Sequence, residues 1–185
     1  MPTPPHRPAP PKPSPWVRDM IARLIEPSEV GGRRVLDLAA GGGRHARHLV
    51  DLELPVLAVD RDLSELDYLD GREGFSMLAC DLEDGSDWPF ADERFIAVIV
   101  TNYLHRPTLA RTLDLIAAGG CLIYETFGTG NEKFGKPSNP DFLARPHEIA
   151  EAAQAARLEV LVDEHLEVAE PRPAVLHRCA AIRPV

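Results

Sequence analysis

The chain of 185 residues is long enough for one domain with a real core and short for two. With 44% hydrophobic and 26% charged residues it has an ordinary globular composition, and no apolar run approaches the roughly 20 residues of a membrane span. A formal net charge of -9 speaks against a chain built to hold nucleic acid, because phosphate contact supplies much of that affinity.

Residues 1–14, MPTPPHRPAPPKPS, are proline-rich and lack the apolar centre of a secretion signal. They read as an extended tail ahead of a single domain over residues 15–185, and the expected location is the cytoplasm. Ser14-Pro15 reads as a helix start, with Ser14 as cap, leading WVRDMIARLI with its apolar residues on one face. There follow a strand RVLDLA, a helix GRHARHLVDL, a strand PVLAVD, a short helix LSELDYLD and a third strand FSMLAC. RFIAVIV is a near-continuous apolar strand of the kind covered on both faces of a parallel sheet. A helix over Thr108–Ala118 and a fifth strand GGCLIYETF come next.

Gly128 to Asp141 has no periodicity and carries Phe134 between Phe127 and Phe142, which reads as a long loop of lid type. LEVLVDEHLEVAE and AVLHRCAAI, joined through Pro171-Arg172-Pro173, read as an antiparallel pair. Alternating strands and helices predict an α/β, Rossmann-like doubly wound sheet, mostly parallel with an antiparallel C-terminal strand pair. Cys80, Cys121 and Cys179 read as reduced core thiols without metal-ligand spacing. His45 and His48 read as a solvated helix face, and no metal is expected.

The stretch AAGGGRHA joins the first strand to the first crossover helix, where adenosine-containing cofactors sit in such sheets. Gly41, Gly43 and Ala46 satisfy a relaxed dinucleotide fingerprint, and Asp60 ends the next strand where a ribose-binding carboxylate belongs. The loop alone does not separate NAD from S-adenosylmethionine, nor from a turn that binds nothing. Asp37, inside the first strand, suits a cationic methionine end better than a pyrophosphate, and Asp81 ends the third strand within reach of an adenine amino group.

With VLDLAAGGG, AVDRD, ACDLED and VIVTNYLHRP in that order, the sequence resembles the class I S-adenosylmethionine-dependent methyltransferases over Val35 to Pro184. The resemblance implies a seven-stranded sheet and a cofactor site of Asp37, Ala39, Gly41, Gly43, Asp60, Arg61, Asp81, Leu82 and Asn102. Ala39 stands where many members have a glycine, which fits if its backbone is ordinary. YETFGTGNEKFGKPSNPDFLARPHE is similar to a small bacterial subgroup loosely related to the tellurite-resistance type.

Candidate catalytic residues are Tyr103, whose ring suits a sulfonium, His105 as a base, and Glu125 for orienting a cationic acceptor or pairing with an arginine. Phe127, Asn131 and Phe134 are the acceptor and lid candidates, with Phe134 expected to close near Tyr103 and His105. The implied activity is methyl transfer to a small-molecule or metalloid acceptor. The alternatives are an RNA or protein methyltransferase, for which TNYL lacks the NPPY-like motif of amino-methylating enzymes, and a non-catalytic cofactor-binding protein.

Overall fold

The structure, a computed structural model, describes residues 12–185. The prediction of a free tail therefore falls mostly outside the described residues. Ser14 is buried and belongs to the domain: its hydroxyl accepts from the Val17 N–H, and its own N–H donates to His45.

The helices are α1 (Pro15–Leu24), α2 (Arg44–Asp51), α3 (Arg106–Asp114) and α4 (Glu148–Ala155). The strands are β1 (Val35–Leu38), β2 (Val56–Asp60), β3 (Phe75–Ala79), β4 (Phe95–Thr101), β5 (Ile116–Phe127), β6 (Glu159–Val168) and β7 (Ala174–Ile182). They form one seven-stranded sheet in the order β3-β2-β1-β4-β5-β7-β6. The first five strands are parallel, and β7 runs antiparallel to both β5 and β6.

Successive strand residues alternate between two cores. Val35, Val56, Ala58, Ala97, Ile99 and Ile123 face α1 and α2, meeting Val17, Ile21, Leu49 and Val50. Leu36, Leu38, Val59, Val98, Val100, Leu122 and Tyr124 face α3 and α4, meeting Leu113, Ile149 and Ala153. Both faces of β1 and β4 are therefore covered, which explains why β4 is apolar from Phe95 to Val100 and why the one polar residue of β1, Asp37, is buried. Strand order reverses between β1 and β4, so a crevice opens beyond their carboxyl ends.

Three local expectations are corrected. The helix expected over Thr108–Ala118 ends at Asp114, because Ile116 already pairs with Phe95 and the register then shifts to Ala97–Cys121. The bulge closes on Gly120, where a Cβ would lie 2.8–2.9 Å from the carbonyl oxygens of Ile96, Ala117 and Phe95. LSELDYLD forms only a 3-10 turn, Asp67–Leu69. Cys121 and Cys179 are core thiols, but Cys80 is only partly buried, because β3 is an edge strand and Cys80 lies just past its end.

Candidate functional site

At the switch point the chain leaves β1 through a turn built on left-handed residues. Ala39 (φ +56°), Gly41 (+52°) and Gly43 (+70°) all adopt it, and the Gly43 N–H closes the turn on the Ala40 carbonyl at 2.9 Å. Ala39 thus does not keep the ordinary backbone its side chain prefers. Asn102 (+54°), at the end of β4, is another non-glycine residue of this kind, as are Glu53, His147 and Arg157 away from the cleft.

The glycines serve different ends. A Cβ built at Gly41 meets nothing within 4 Å, so the loop presents open space there. A Cβ at Gly43 would lie 2.3 Å from Leu66 Cδ2, so this glycine lets α2 pack on the segment after β2. Gly43, unlike Gly41, is not among the residues lining the cleft.

Gly43 precedes α2 and has no side chain to cap it. Asp37 supplies the missing acceptor from β1: its Oδ2 accepts from the Ala46 N–H at 2.8 Å. Asp37 is 1% exposed and lies outside the cleft lining. Burial pushes its carboxyl up to about 7, against the lowering effects of that hydrogen bond and of Arg44. Asp60 reaches back to the loop, accepting from the Gly41 N–H (2.8 Å) and the Asp62 N–H (3.1 Å). A carboxylate has further lone pairs, so both contacts leave acceptor capacity toward the cleft.

The cleft has a volume of about 620 Å3, within the ~300–1,000 Å3 range of small-molecule sites. Of the candidate site residues, Ala39, Gly41, Asp60, Arg61, Asp81, Leu82, Asn102 and Tyr103 line it. Gly42, Cys80, Glu83, Thr101 and Phe142, which the sequence reading did not name as lining residues, also line it, and so does Arg44.

His45 is buried instead, which overturns its place on a solvated face. Its Nε2 accepts from the Ser14 N–H (3.2 Å), so Nδ1 carries the proton and donates to Thr101 Oγ1 (3.2 Å). Burial, with Arg44 and His48 nearby, lowers its pKa to about 3, so the ring is neutral. It ties α1, α2 and β4 together behind the loop.

The three candidate catalytic groups stand in different surroundings. Tyr103 lends its carbonyl to the Tyr124 hydroxyl (2.7 Å), and its own hydroxyl is buried without a hydrogen bond of normal geometry. Burial, with Glu83 nearby, holds the Tyr103 phenol well above its ordinary range. His105 lies outside the cleft lining and bonds Thr108 Oγ1 at 3.0 Å in the first turn of α3. Glu125 is 5% exposed and pairs with Arg178 Nε at 2.8 Å, on the face of the sheet where Arg178 overlies Trp16.

The lid candidates are structural in their contacts. Asn131 is 2% exposed, donating to the Pro137 carbonyl (2.9 Å) and accepting from the Val175 N–H (3.1 Å). Phe127 lies under Arg172, and Phe134 beside Lys133. Neither Phe127 nor Phe134 lines the cleft; the aromatic residue of this stretch that does is Phe142. Among the described residues no group of three or more His, Cys, Asp or Glu side chains is placed to hold a metal ion, and no helix is long and apolar enough to cross a membrane.

No protein-family profile matches the chain, and no curated protein does. Solved structures do. A putative methyltransferase in complex with the Trm112 methyltransferase activator of Haloferax volcanii is similar at TM-score 0.70 and 18% identity, over 92% of this chain and 90% of that one. A TehB-like SAM-dependent methyltransferase from Corynebacterium glutamicum is similar at 0.63 and 18%, over 90% and 86%. The [4+2]-cyclase SpnF is similar at 0.68 and 15%, over 92% and 80%. At these identities the likeness establishes a shared fold, that of S-adenosylmethionine-dependent methyltransferases, and leaves the reaction to be argued from the site.

Proposed function

We propose that this chain binds S-adenosylmethionine and transfers its methyl group to a small-molecule or metalloid acceptor. The observation that carries the reading is the convergence of Asp60 and Asp81, at the ends of neighbouring strands, on a cleft where Gly41 leaves open the space its side chain would fill. Asp60 would accept from ribose hydroxyls, and Asp81 beside Leu82 from the adenine amino group. Arg61, Arg44 and Asn102 offer donors along the same wall.

Asp37 would act on a cationic methionine end through its field rather than by direct contact, since it is buried under the loop. Bound cofactor would supply an electrophilic methyl, whose capture by an acceptor lone pair leaves a neutral thioether. The chain's part is to orient and to exclude water, with the ring of Tyr103 as an aromatic wall. Glu125 is paired with Arg178 and His105 lies outside the cleft lining, so neither base candidate stands at the cleft, which favours an acceptor that presents its own lone pair.

Calorimetry with S-adenosylmethionine, S-adenosylhomocysteine and NADH tests the cofactor: micromolar binding of the first two and none of the third is expected. Equal or tighter binding of NADH would overturn the assignment. The placing of both base candidates away from the cleft also suits a cofactor-binding protein without catalysis. That reading gives the same calorimetry and differs in a labelled-donor screen, where it transfers no methyl to any small molecule.

A further inference from the structure

Phe142 combines two properties that rarely coincide. It is 53% exposed, the most exposed large apolar residue described apart from Val185. Its backbone is nevertheless tied down on both sides. The carbonyls on either side of it, those of Asp141 and Leu143, both accept from the Arg106 guanidinium, at 2.7 and 2.9 Å. Its own N–H closes a turn on the Asn139 carbonyl at 3.0 Å, and the next two residues, Leu143 and Ala144, are buried.

Arg106 is itself fixed. Glu148, in the first turn of α4, accepts from its Nε at 2.6 Å and its Nη2 at 3.0 Å. Five guanidinium donors in one plane suit this arrangement of two carbonyls and a carboxylate. Arg106 does not line the cleft, whereas the ring that it sets in place does. An apolar ring on a rigid mount, left half in water beside a polar cleft, gains free energy when a ligand covers it.

We propose that Phe142 is a cofactor-contact residue whose ring packs on the bound S-adenosyl ligand, and that Arg106 is the positioning residue that fixes it there. The inference rests on the reading of the cleft as an S-adenosylmethionine site and adds to it an apolar wall from the connection between β5 and β6, beyond the strands that carry the acids.

The test is calorimetric titration of the full chain and its variants with S-adenosylhomocysteine. Removing the ring in Phe142→Ala should weaken binding by about 5- to 10-fold, and Phe142→Leu by about 2-fold, from the apolar area lost. Phe134→Ala should bind as the unmodified chain does. Arg106→Lys keeps the charge opposite Glu148 but cannot bridge both carbonyls, and should weaken binding by about 3-fold. The double variant Phe142→Ala/Arg106→Lys should bind no more weakly than Phe142→Ala alone, because Arg106 acts through the ring; a purely structural arginine would give an additive loss.

Unchanged affinity in Phe142→Ala, a substitution at an exposed side chain that leaves the fold intact, overturns the inference while the cofactor assignment stands. An additive double variant overturns the role of Arg106. Failure of the unmodified chain to bind S-adenosylhomocysteine overturns the cofactor assignment and this inference with it.

Discussion

The loop glycines separate binding from stability in a measurable way. Replacing Gly41 by alanine puts a Cβ into space with no neighbour within 4 Å, at φ +52°. The cost to folding is the left-handed backbone term alone, about 1–2 kcal/mol. Replacing Gly43 incurs the same term at φ +70° and also drives the new methyl to 2.3 Å from Leu66 Cδ2, with Leu69 Cδ1 at 3.5 Å behind it.

Leu66 and Leu69 are 0% and 1% exposed, so neither can swing into solvent. Overpacking of this kind adds about 1–3 kcal/mol, giving about 2–5 kcal/mol in all. For a chain of this size each kcal/mol lowers Tm by about 2–4 °C, so Gly43→Ala should melt well below Gly41→Ala. Affinity should rank the other way. Gly41→Ala should lose about tenfold in S-adenosylhomocysteine binding, or about 1.4 kcal/mol, while Gly43→Ala, assayed below its melting temperature, stays within about threefold of the unmodified chain. Thermal melts and calorimetry on the same preparations decide it. If Gly43→Ala is as stable as Gly41→Ala, the packing on Leu66 is wrong; if Gly41→Ala binds normally, the ligand does not pass over this loop.

Ala39→Gly should relieve left-handed strain and, after the extra entropy of glycine in the unfolded chain, gain about 0.5–1 kcal/mol, read as a rise in Tm of about 1–4 °C; a fall would show that the methyl packs favourably. Asp37, raised by burial to about 7, contributes stability that is fully present below about pH 4 and is lost as pH rises through 7. Asp37→Asn removes this dependence, so urea melts across pH 4–8 should show the variant gaining on the unmodified chain by up to about 4 kcal/mol as pH rises, and parallel curves would refute the shift. Glu125→Gln removes the buried charge partner of Arg178, which keeps Glu164 at 3.9 Å, and should cost about 1.5–3 kcal/mol of stability yet leave S-adenosylhomocysteine affinity unchanged; the reverse pattern would return Glu125 to the binding site.

Much of the fold was legible because each strand of the parallel half is an apolar run bounded by turn residues, and because Pro171 and Pro173 mark the one tight reversal near the end. The overlong third helix came from Leu115, Ile116 and Ala117, apolar residues that continue a helical pattern while their backbone already belongs to β5. The glycine loop and the two strand-end acids were legible as spacing. The burial of His45 was not, since its partners Ser14 and Thr101 lie 31 and 56 residues away. Nor did sequence distinguish Phe134 from Phe142: both sit among glycines and prolines, and the arginine that mounts one of them on the cleft is 35 to 37 residues earlier.

The antiparallel insertion of β7 has a consequence for the order in which the molecule can assemble. β6 has β7 as its neighbour in the sheet and no other, and β5 has its second edge covered by β7 alone. Until residues 174–182 leave the ribosome, β6 has nowhere to dock, and the apolar Cys121–Tyr124 segment of β5 presents an open edge. The nascent chain can complete β3, β2, β1, β4 and β5 but must carry that edge exposed, the condition in which strands pair with neighbouring chains. β7 is thus the strand that covers the second edge of β5, and a chain lacking it would present a five-stranded sheet with that apolar edge unpaired.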